Sequence, residues 1–440
     1  MRPPGARFLT ALTVAALAAA AAVAAPTATT EIRQLQPILD EAEENAGVLL
    51  EPGLYAGPVV VTKPMLIDGG NEVTIDGGGI GTVVTLETDG ATIRRVRIVG
   101  SGESHNDIDA GVRVSGDSNN VKELVIEDCL FGVDLQQSDS NVVRRNKITS
   151  KADSGLGVKG DAVRLWYSRY NVIEENTVSG SRDMVVWYSE DNTIARNRIS
   201  GGRYGLHFMY SKYNLVEGNT IDGNSVGIFL MYSDDIVVRG NRMFKALGPT
   251  GVGLGLKETS GVEITDNEML YNATGIYLDV SPFQPDTTNK ILRNEIAFNS
   301  TGVLFLNDWT GNIFEENRFA NNIKQVSVNE FAGAARNTWN NNYWDDYEGF
   351  DRDNDGIGDK PHTMMVYADR LWMDVPDASF FKGTPLLAAL DLLERLAPFT
   401  DPIVMLKDDN PHVREDVGPR DDAAKDAKKE RVNPFGLETD

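Results

Sequence analysis

The chain has 440 residues, a formal net charge of −23 at pH 7 and one cysteine. Nucleic acid is a poor partner for such an acidic chain, because binding phosphates requires clustered lysine and arginine side chains. At the start, Arg2 and Arg7 accompany an apolar run from about Phe8 to Ala24, which is typical of a secretory signal peptide. We expect cleavage near Ala24 or Ala25 and a mature protein that is exported.

A short capping helix is predicted directly after the signal peptide. Thr30 can cap an amphipathic helix that continues through Glu44, and Gly47 would end it. The apolar side chains of this segment fall on one helical face. Such a helix suits the open end of a repeat structure, which needs a cover.

Asparagine recurs through the middle of the chain at intervals of 21 to 30 residues. The repeated residues are Asn146, Asn176, Asn197, Asn219, Asn241, Asn267, Asn294 and Asn317. Five residues before most of them stands a second asparagine, in hexapeptides such as NVVRRN, NVIEEN and NLVEGN. A fixed period of this size marks a solenoid, in which each copy stacks on the next.

Each copy contains two or three short runs of Val, Ile and Leu that alternate with polar residues, which indicates β-strands. Three short strands with their turns need about 20 to 25 residues, so one copy is expected to form one coil of a parallel β-helix. Coils lie about 4.8 Å apart, and equivalent residues form columns. We expect the asparagines to adopt the left-handed conformation at bends and to bond inward to neighbouring coils.

A second column precedes the ladder asparagines by ten residues. Its members are Gln136, Trp166, Trp187, Met209, Met231 and Lys257, followed by Asn307 after an irregular coil. Strand alternation places the Trp and Met residues opposite the preceding Leu, Val or Phe, and His207 shares their face. If that preceding face points inward, the column lies on the outside of the cylinder.

Three interpretations of this outward face stay open. Trp166 and Trp187 could stack on sugar rings, as in carbohydrate-binding proteins. His207, Met209 and Met231 offer the imidazole and thioether ligands that suit Cu(I). Alternatively, the face packs under another segment or a partner protein, for which the two tryptophans are candidate contact residues.

A dense acidic motif follows the last copy. Asp351, Asp353, Asp355 and Asp359 occur in DRDNDGIGD, which matches the first nine positions of a calcium-binding loop. Gly356 permits the sharp turn between them. The twelfth position is His362 rather than the usual glutamate, so either a Ca²⁺ site or a metal-free turn is consistent with the sequence.

Soft donors and a predicted helix complete this region. His362, Met364, Met365 and Met373 lie within a dozen positions and offer a second set of candidate copper ligands, although methionine is also a common core residue. Thr384 and Pro385 then open a segment with helix-start signals and a broad apolar face, which ends at Pro398. The leucines proposed to contact a partner are Leu386, Leu390 and Leu393.

The expected architecture is all-β, with a helix at each end of the solenoid. The predicted parts are a signal peptide over 1–25, an N-terminal helical cap over 26–48, a parallel β-helix over 49–340 with regular coils over about 121–339, a C-terminal module with one helix over 341–406, and a charged, disordered tail over 407–440.

The signal peptide, the paired-asparagine coils, the block NNYWDDYEGFDRDNDGIGDKPH and the segment ADRLWMDVP with its following helix together resemble the NosD family. The resemblance extends over the mature chain to about Pro411, and the C-terminal block is its specific part. It implies a right-handed parallel β-helix in the periplasm. It also implies a role in assembling the copper centre of nitrous oxide reductase.

The same resemblance implies several partners. These are an ATP-binding-cassette ATPase with its membrane permease, a small lipoprotein that hands over copper, and nitrous oxide reductase itself. A metal passed between proteins should meet few, soft and exchangeable donors, which His and Met provide. The residues that touch copper are inferred from the donor types and are not carried over from the family.

A carbohydrate-active enzyme is the alternative, because many parallel β-helices act on polysaccharides. Such enzymes need close carboxylate pairs. Asp161, Asp183, Asp234 and Asp235 lie near predicted strand ends, but in the sequence no pair recurs with a neighbouring His and Arg-Lys set. We therefore expect a maturation factor without a catalytic centre of its own.

Overall fold

The computed structural model describes residues 32–152, 155–307, 309–328, 334–366, 384–386, 389, 392–393 and 403–419. Within these residues, three ladders of short parallel strands wind into a solenoid, with one strand of each ladder in every regular coil. The prediction of a parallel β-solenoid is therefore confirmed. Among the described residues, no helix is long and apolar enough to cross a membrane.

The first ladder, called the outer sheet below, has twelve strands. They are Val59–Val61, Val84–Leu86, Ala110–Val114, Phe131–Gln136, Val163–Trp166, Asp183–Trp187, Tyr204–Met209, Val226–Met231, Val252–Lys257, Thr274–Asp279, Thr301–Phe305 and Lys324–Val328.

The other two ladders share the strands Leu66–Asp76 and Thr92–Val99. The second ladder adds Gly47–Leu49, Asn120–Lys122, Val142–Arg144, Val172–Glu174, Thr193–Ala195, Leu215–Glu217, Val237–Arg239, Glu263–Thr265, Asn289–Leu292, Asn312–Glu315 and Thr338–Asn340. The third adds Ile32–Gln34, Gly53–Ala56, Val125–Cys129, Lys147–Ser150, Thr177–Ser179, Arg198–Ser200, Thr220–Asp222, Arg242–Phe244, Glu268–Leu270, Glu295–Ala297, Arg318–Ala320 and Tyr343–Trp344.

Aliphatic side chains from all three ladders fill the interior. Ile173, Ile194 and Val216, for example, occupy one column of the second ladder and are essentially without exposed surface. Strand alternation explains this, because every second residue points inward and the next points to solvent. The interior is one continuous apolar cluster from the first coil to the last.

The asparagines form hydrogen-bonded ladders inside the bends, as the spacing predicts. Asn219 is fully buried, and its Oδ1 accepts the backbone N–H of Asn197 at 2.9 Å and the Nδ2 of Asn197 at 3.0 Å. Its own Nδ2 donates to Asn241 Oδ1 at 2.9 Å and to the Ile194 carbonyl at 2.8 Å. Each side chain thus joins three coils.

The left-handed residue at each bend is the one before the asparagine, so that part of the prediction is wrong. Arg145, Glu175 and Arg196, which precede ladder asparagines, have φ values of 56°, 57° and 55°. The asparagine follows the bend with its side chain turned inward, where its amide satisfies backbone groups that the bend removes from the strand ladders. The residue with positive φ points outward, and this allows varied side chains there.

The predicted capping helix is shorter than expected. Thr30 lies outside the described residues, and Ile32–Gln34 is a strand because it pairs with Gly53–Ala56. The helix spans Leu35–Glu41, and the chain is extended again at Ala42. Leu35 and Leu39 are buried in the core cluster, so the short helix packs against the first coils.

The C-terminal region contains a β-sheet that the sequence did not predict. His362–Val366 pairs antiparallel with Ile403–Asp408. The predicted helix after Thr384 falls mainly on residues outside the described ones, so it stays a prediction. The expected start of a charged tail at Lys407 falls inside a strand, and the described chain continues in contact with the last coil to Pro419.

Asp408 ends one asparagine ladder. It is fully buried, and its Oδ2 accepts Asn342 N at 3.0 Å, Asn342 Nδ2 at 2.9 Å and Trp344 Nε1 at 3.1 Å. A carboxylate has acceptors only. It therefore suits the last step of a column, where no further coil has to receive a hydrogen bond from it.

Replacing Asn219 by alanine should lower the free energy of unfolding of the mature protein by about 1–3 kcal/mol, because the Asn197 N–H then loses its buried acceptor. Urea unfolding followed by circular dichroism measures this change. Asn106→Ala, at an exposed turn, is the matched control and should leave the midpoint within experimental error. Equal midpoint shifts for both variants would contradict the structural role of the ladder.

Candidate functional site

The predicted outward column lies on the outer sheet. Trp166, Trp187, Met209 and Met231 occupy the same register position on four consecutive strands. Lys257 and then Asp279 continue the column. Leu165 and the matching residues of the next strands point into the core, so the predicted faces are the observed ones. Asn307, the last predicted member of the column, lies outside these paired strand positions, and its Nδ2 donates to Asp279 Oδ1 at 2.6 Å.

His207 is buried although it lies on the outward face. The Tyr204 ring stacks on it with centroids 4.6 Å apart, and the Trp187 ring meets it edge-on at 5.9 Å. Its Nε2 lies 3.3 Å from Met231 Sδ, while its Nδ1 has no hydrogen-bond partner among the described residues. Burial lowers the pKa of His207 to about 4, so the imidazole is neutral near pH 7.

The Trp187 indole shares this environment. Its Nε1 is buried and has no hydrogen-bond partner within the described part of the chain. On the preceding coil, the Trp166 ring meets the Trp187 ring at 6.1 Å, and the Arg164 guanidinium lies 4.7 Å from the centre of the Trp166 ring. The outward face is therefore a partly covered layer of aromatic, imidazole and thioether groups.

A buried network of carboxylates and guanidinium groups borders this layer. Arg182 lies between two aspartates, with Nη2 3.0 Å from Asp161 Oδ1 and Nε 3.8 Å from Asp183 Oδ2. Arg203 also binds Asp183. Burial raises the pKa of Asp161 to about 6, against the opposing effect of Arg182.

This network corrects one sequence interpretation. Stacking brings Asp161 and Asp183 together with arginines and near His207, a set that was not apparent along the chain. Asp161 and Asp183 are each only 2% exposed, however, and both are engaged by arginine. The arginine side chains that cover both carboxylates are themselves partly exposed, and their ion pairs make the network suited to fixing the outer face. Asp234 bonds to Lys212 and Ser260 instead.

A column of tyrosines flanks the outward face. Tyr167, Tyr188, Tyr210 and Tyr232 stack in turn with centroid distances of 4.9, 5.1 and 5.0 Å and nearly parallel planes. Each inner ring is therefore covered on both faces by its neighbours. Sugar rings stack on open aromatic faces, so this column offers exposed edges rather than a sugar platform.

The C-terminal soft donors line an open cleft of about 680 Å³. His362, Met364 and Met365 contribute to its wall, and Met405 from the opposite strand joins them. Asp345, Asp346 and Glu348 also line it, which makes the cleft attractive to cations. Met373 lies outside the described residues.

His362 is held at the base of this cleft. Its ring stacks on Trp344 at 4.9 Å, and Tyr347 meets its edge at 6.0 Å. Its Nε2 lies 3.6 Å from Asp346 Oδ1, and burial lowers its pKa. A neutral imidazole beside thioethers is a donor set suited to a soft cation.

The acidic loop places three of its four predicted carboxylates together. Oxygens of Asp351, Asp353 and Asp355 lie within 4.8 Å of one another. Asp351 already accepts the backbone N–H groups of Asp355 and Gly356, and the φ of Gly356 is 94°. Asp359 points elsewhere, since its Oδ2 accepts the Arg352 N–H at 3.1 Å.

Sequence reasoning missed Met405 and Asp408, which reach the C-terminal cleft and the last coil through a strand about forty residues further on. The leucines predicted to contact a partner are not placed, by the residues that the structure describes, beside the His and Met residues of the outer face or of the C-terminal cleft. Leu386 and Leu393 are exposed, and Leu390 is outside the described residues.

Comparisons with known families match two sequence profiles. The profile described as "Periplasmic copper-binding protein (NosD)" matches residues 157–349, and the profile described as "Right handed beta helix region" matches residues 69–183. The first match includes the outer-face residues from Trp166 to Met231. It ends before His362.

Solved structures with similar backbones are polysaccharide enzymes. The A-module of mannuronan C-5 epimerase AlgE6 from Azotobacter vinelandii is 16% identical with a TM-score of 0.49, and the match covers 64% of this chain and 86% of the module. A PL6 alginate lyase in complex with a trisaccharide is 16% identical with a TM-score of 0.42, covering 70% and 81%. Similarity at this level supports no conclusion about activity or substrate.

Two curated proteins are more informative, and both are named "Probable ABC transporter binding protein NosD". The protein from Stutzerimonas stutzeri is 29% identical over 114 residues, which are 25% of this chain and 26% of the relative. The protein from Pseudomonas aeruginosa is 32% identical over 370 residues, which are 79% of this chain and 84% of that relative. Identity of this extent shows that the chain belongs to the NosD family.

Proposed function

We propose that this protein is an exported scaffold for the maturation of the copper centre of nitrous oxide reductase. It receives Cu(I) from a lipoprotein chaperone and presents it to the reductase, together with an ATP-binding-cassette permease and its ATPase. The observation that carries the proposal is family membership, at 32% identity over 84% of a relative named an ABC transporter binding protein. The copper-binding description of the family profile supports the choice of cargo.

The C-terminal cleft is the proposed delivery site. Thioether and neutral imidazole ligands favour Cu(I) over hard divalent cations, and an open cleft allows the ion to leave again. His362, Met364 and Met365 come from one strand and Met405 from its partner, and all four line the same cleft. If Met373 also binds copper, it would extend this set.

The surrounding charge supports the same role. The chain carries a net charge of −23, and three acidic residues line the cleft itself. An acidic surface raises the local concentration of cations and favours docking of partners with basic surfaces. The exposed aromatic edges around Trp166 and Trp187, and the leucines at 386, 390 and 393, are proposed contacts for the partner proteins.

The rigidity of the solenoid suits a scaffold. Side chains in columns are held by strand pairing on both sides, so a partner that docks on them costs little conformational entropy. The tyrosine column offers ring edges only, and the buried aspartates are sequestered by arginine. These contacts favour the scaffold over the carbohydrate-active alternative.

Deleting the gene in its host should leave nitrous oxide reductase exported but short of copper and inactive, because its copper supply is interrupted. Metal analysis and activity of the purified reductase measure this outcome, and restoring the gene on a plasmid is the control. A fully metallated, active reductase from the deletion strain would refute the proposed function.

The double variant Met364→Leu, Met365→Leu should lose at least about tenfold in Cu(I) affinity at the cleft, because leucine keeps the volume but removes the sulfur donors. Competition with a chromophoric Cu(I) chelator measures the affinity. Met243→Leu is the matched control, since Met243 lies fully inside a coil. Identical titrations of the double variant and the wild type would remove these methionines from the site.

The acidic loop is proposed to hold Ca²⁺ as a structural ion. If it does, excess Ca²⁺ should raise the melting temperature, and the double variant Asp353→Asn, Asp355→Asn should abolish that increase, because binding to the folded state alone stabilises it. Differential scanning calorimetry provides the measurement, and Asp416→Asn at an exposed position is the control. A melting temperature insensitive to Ca²⁺ in the wild type would mean that the loop is a metal-free turn.

A further inference from the structure

Two buried nitrogen atoms at one place on the outer sheet lack hydrogen-bond partners. They are His207 Nδ1 and Trp187 Nε1, and neither finds a partner in the described residues. The two rings meet edge to face at 5.9 Å. Leaving a buried polar atom unpaired costs about 1–3 kcal/mol, which makes this part of the sheet unusual. The atom of His207 that faces a candidate ligand partner is the other ring nitrogen, Nε2.

A sulfur donor lies beside this imidazole. Met231 Sδ is 3.3 Å from His207 Nε2, across two adjacent strands of the outer sheet. Bonds of about 2.0 Å to nitrogen and about 2.3 Å to sulfur would place two ligands this far apart at an angle of about 100° on a common ion. The two atoms are thus already spaced as ligands of one metal ion, without movement of the backbone.

A second thioether belongs to the same set. Met209 follows His207 by two residues on one strand, so both side chains leave the same face, and Met209 is the register partner of Met231. One imidazole and two thioethers therefore stand at three corners of a patch that spans two neighbouring strands. Trp187 occupies the rung beside Met209.

The donors select for a soft, singly charged ion. The thioethers carry no charge, an imidazole binds a metal ion through its neutral form, and the nearby Asp183 is engaged by Arg203. Ca²⁺ and Mg²⁺ prefer oxygen ligands, and Zn²⁺ sites are built from thiolate, imidazole and carboxylate ligands, whereas thioether sulfur favours Cu(I). The aromatic rings of Trp187 and Tyr204 would further favour a cation and exclude water.

We propose that His207, Met209 and Met231 form a second Cu(I) site on the outer sheet, separate from the C-terminal cleft. This inference rests on the proposed function in taking copper as the cargo. Four strand spacings separate Met231 from the last strand of the outer sheet, or about 19 Å along the solenoid. One ion cannot bridge the two donor sets, so the chain holds two copper ions at different points of its surface.

The test compares Cu(I) stoichiometry in four forms of the full mature chain. The first form is the wild type, and the second is the outer variant, which combines His207→Gln with Met231→Leu. The third is the cleft variant, which combines Met364→Leu with Met365→Leu, and the fourth is the control Met243→Leu. Competition titrations with a chromophoric chelator give the number of tightly bound ions. We expect two for the wild type and the control, and one for each of the other variants.

Spectroscopy on the cleft variant identifies the ligands at the remaining site. X-ray absorption of its single bound Cu(I) should show one nitrogen and two sulfur neighbours, and binding should quench tryptophan fluorescence because Trp187 is adjacent. Changing Trp187 to Phe should remove most of that quenching while the ion still binds. A spectrum without sulfur neighbours would overturn the inference.

The two proposals fail in different ways. If the outer variant keeps the wild-type stoichiometry, the outer site is refuted while the cleft and the maturation role stand. If only the cleft variant is unchanged, the outer site is supported and the cleft donors are wrong. Because His207→Gln could perturb folding, the single variant Met231→Leu, with an unchanged melting temperature, must also lower the affinity at least about tenfold.

Discussion

The carboxamide ladder inside the bends is the constraint on which the rest of the molecule depends. In the ladder from Asn146 to Asn317, each asparagine accepts from the coil before it and donates to the coil after it, as Asn176 does between Asn146 and Asn197. A shift of one residue in any coil would leave buried amide groups unpaired on both sides. The register of the whole solenoid is thereby locked, and the positions of outward side chains follow from it.

This locking explains how residues far apart in sequence form defined surface chemistry. Coils of 21, 22 and 26 residues bring Trp166, Trp187, Met209, Met231 and Lys257 to successive rungs, because variation in coil length is absorbed in the loops. Donor atoms on such a lattice are preorganised at strand spacing. A lattice of this kind can carry a metal, a docking surface or both, and only the choice of side chains decides which.

The parts of the structure that sequence reasoning predicted are those that repeat. The strand pattern, the inward asparagines and the outward Trp and Met column all follow from one period. The left-handed residue lies one position before the predicted asparagine. Arg145 and Glu175 take this conformation, and neither residue type favours it, so nothing in the sequence marks the bend there. Here the demand for an inward amide outweighs local backbone preference.

Contacts that occur only once in the structure could not be predicted from the repeat period. Pairing of Ile32–Gln34 with Gly53–Ala56 shortened the predicted helix, and the strand Ile403–Asp408 returns from a distant segment to the last coil. The Asp161 and Asp183 pair became visible only through stacking, since each aspartate alone resembles an ordinary turn residue. Non-repeating elements are fixed by tertiary pairing, for which one sequence gives little signal.

The buried carboxylate of Asp408 has a consequence for association at the end of the solenoid. Without the strand that carries it, the final coil would present bare N–H groups from Asn342 and Trp344 along a flat, unpaired edge. Such an edge is a template on which another chain can add its own coils. By satisfying these groups, the strand Ile403–Asp408 removes hydrogen-bonding positions that an added coil would otherwise use.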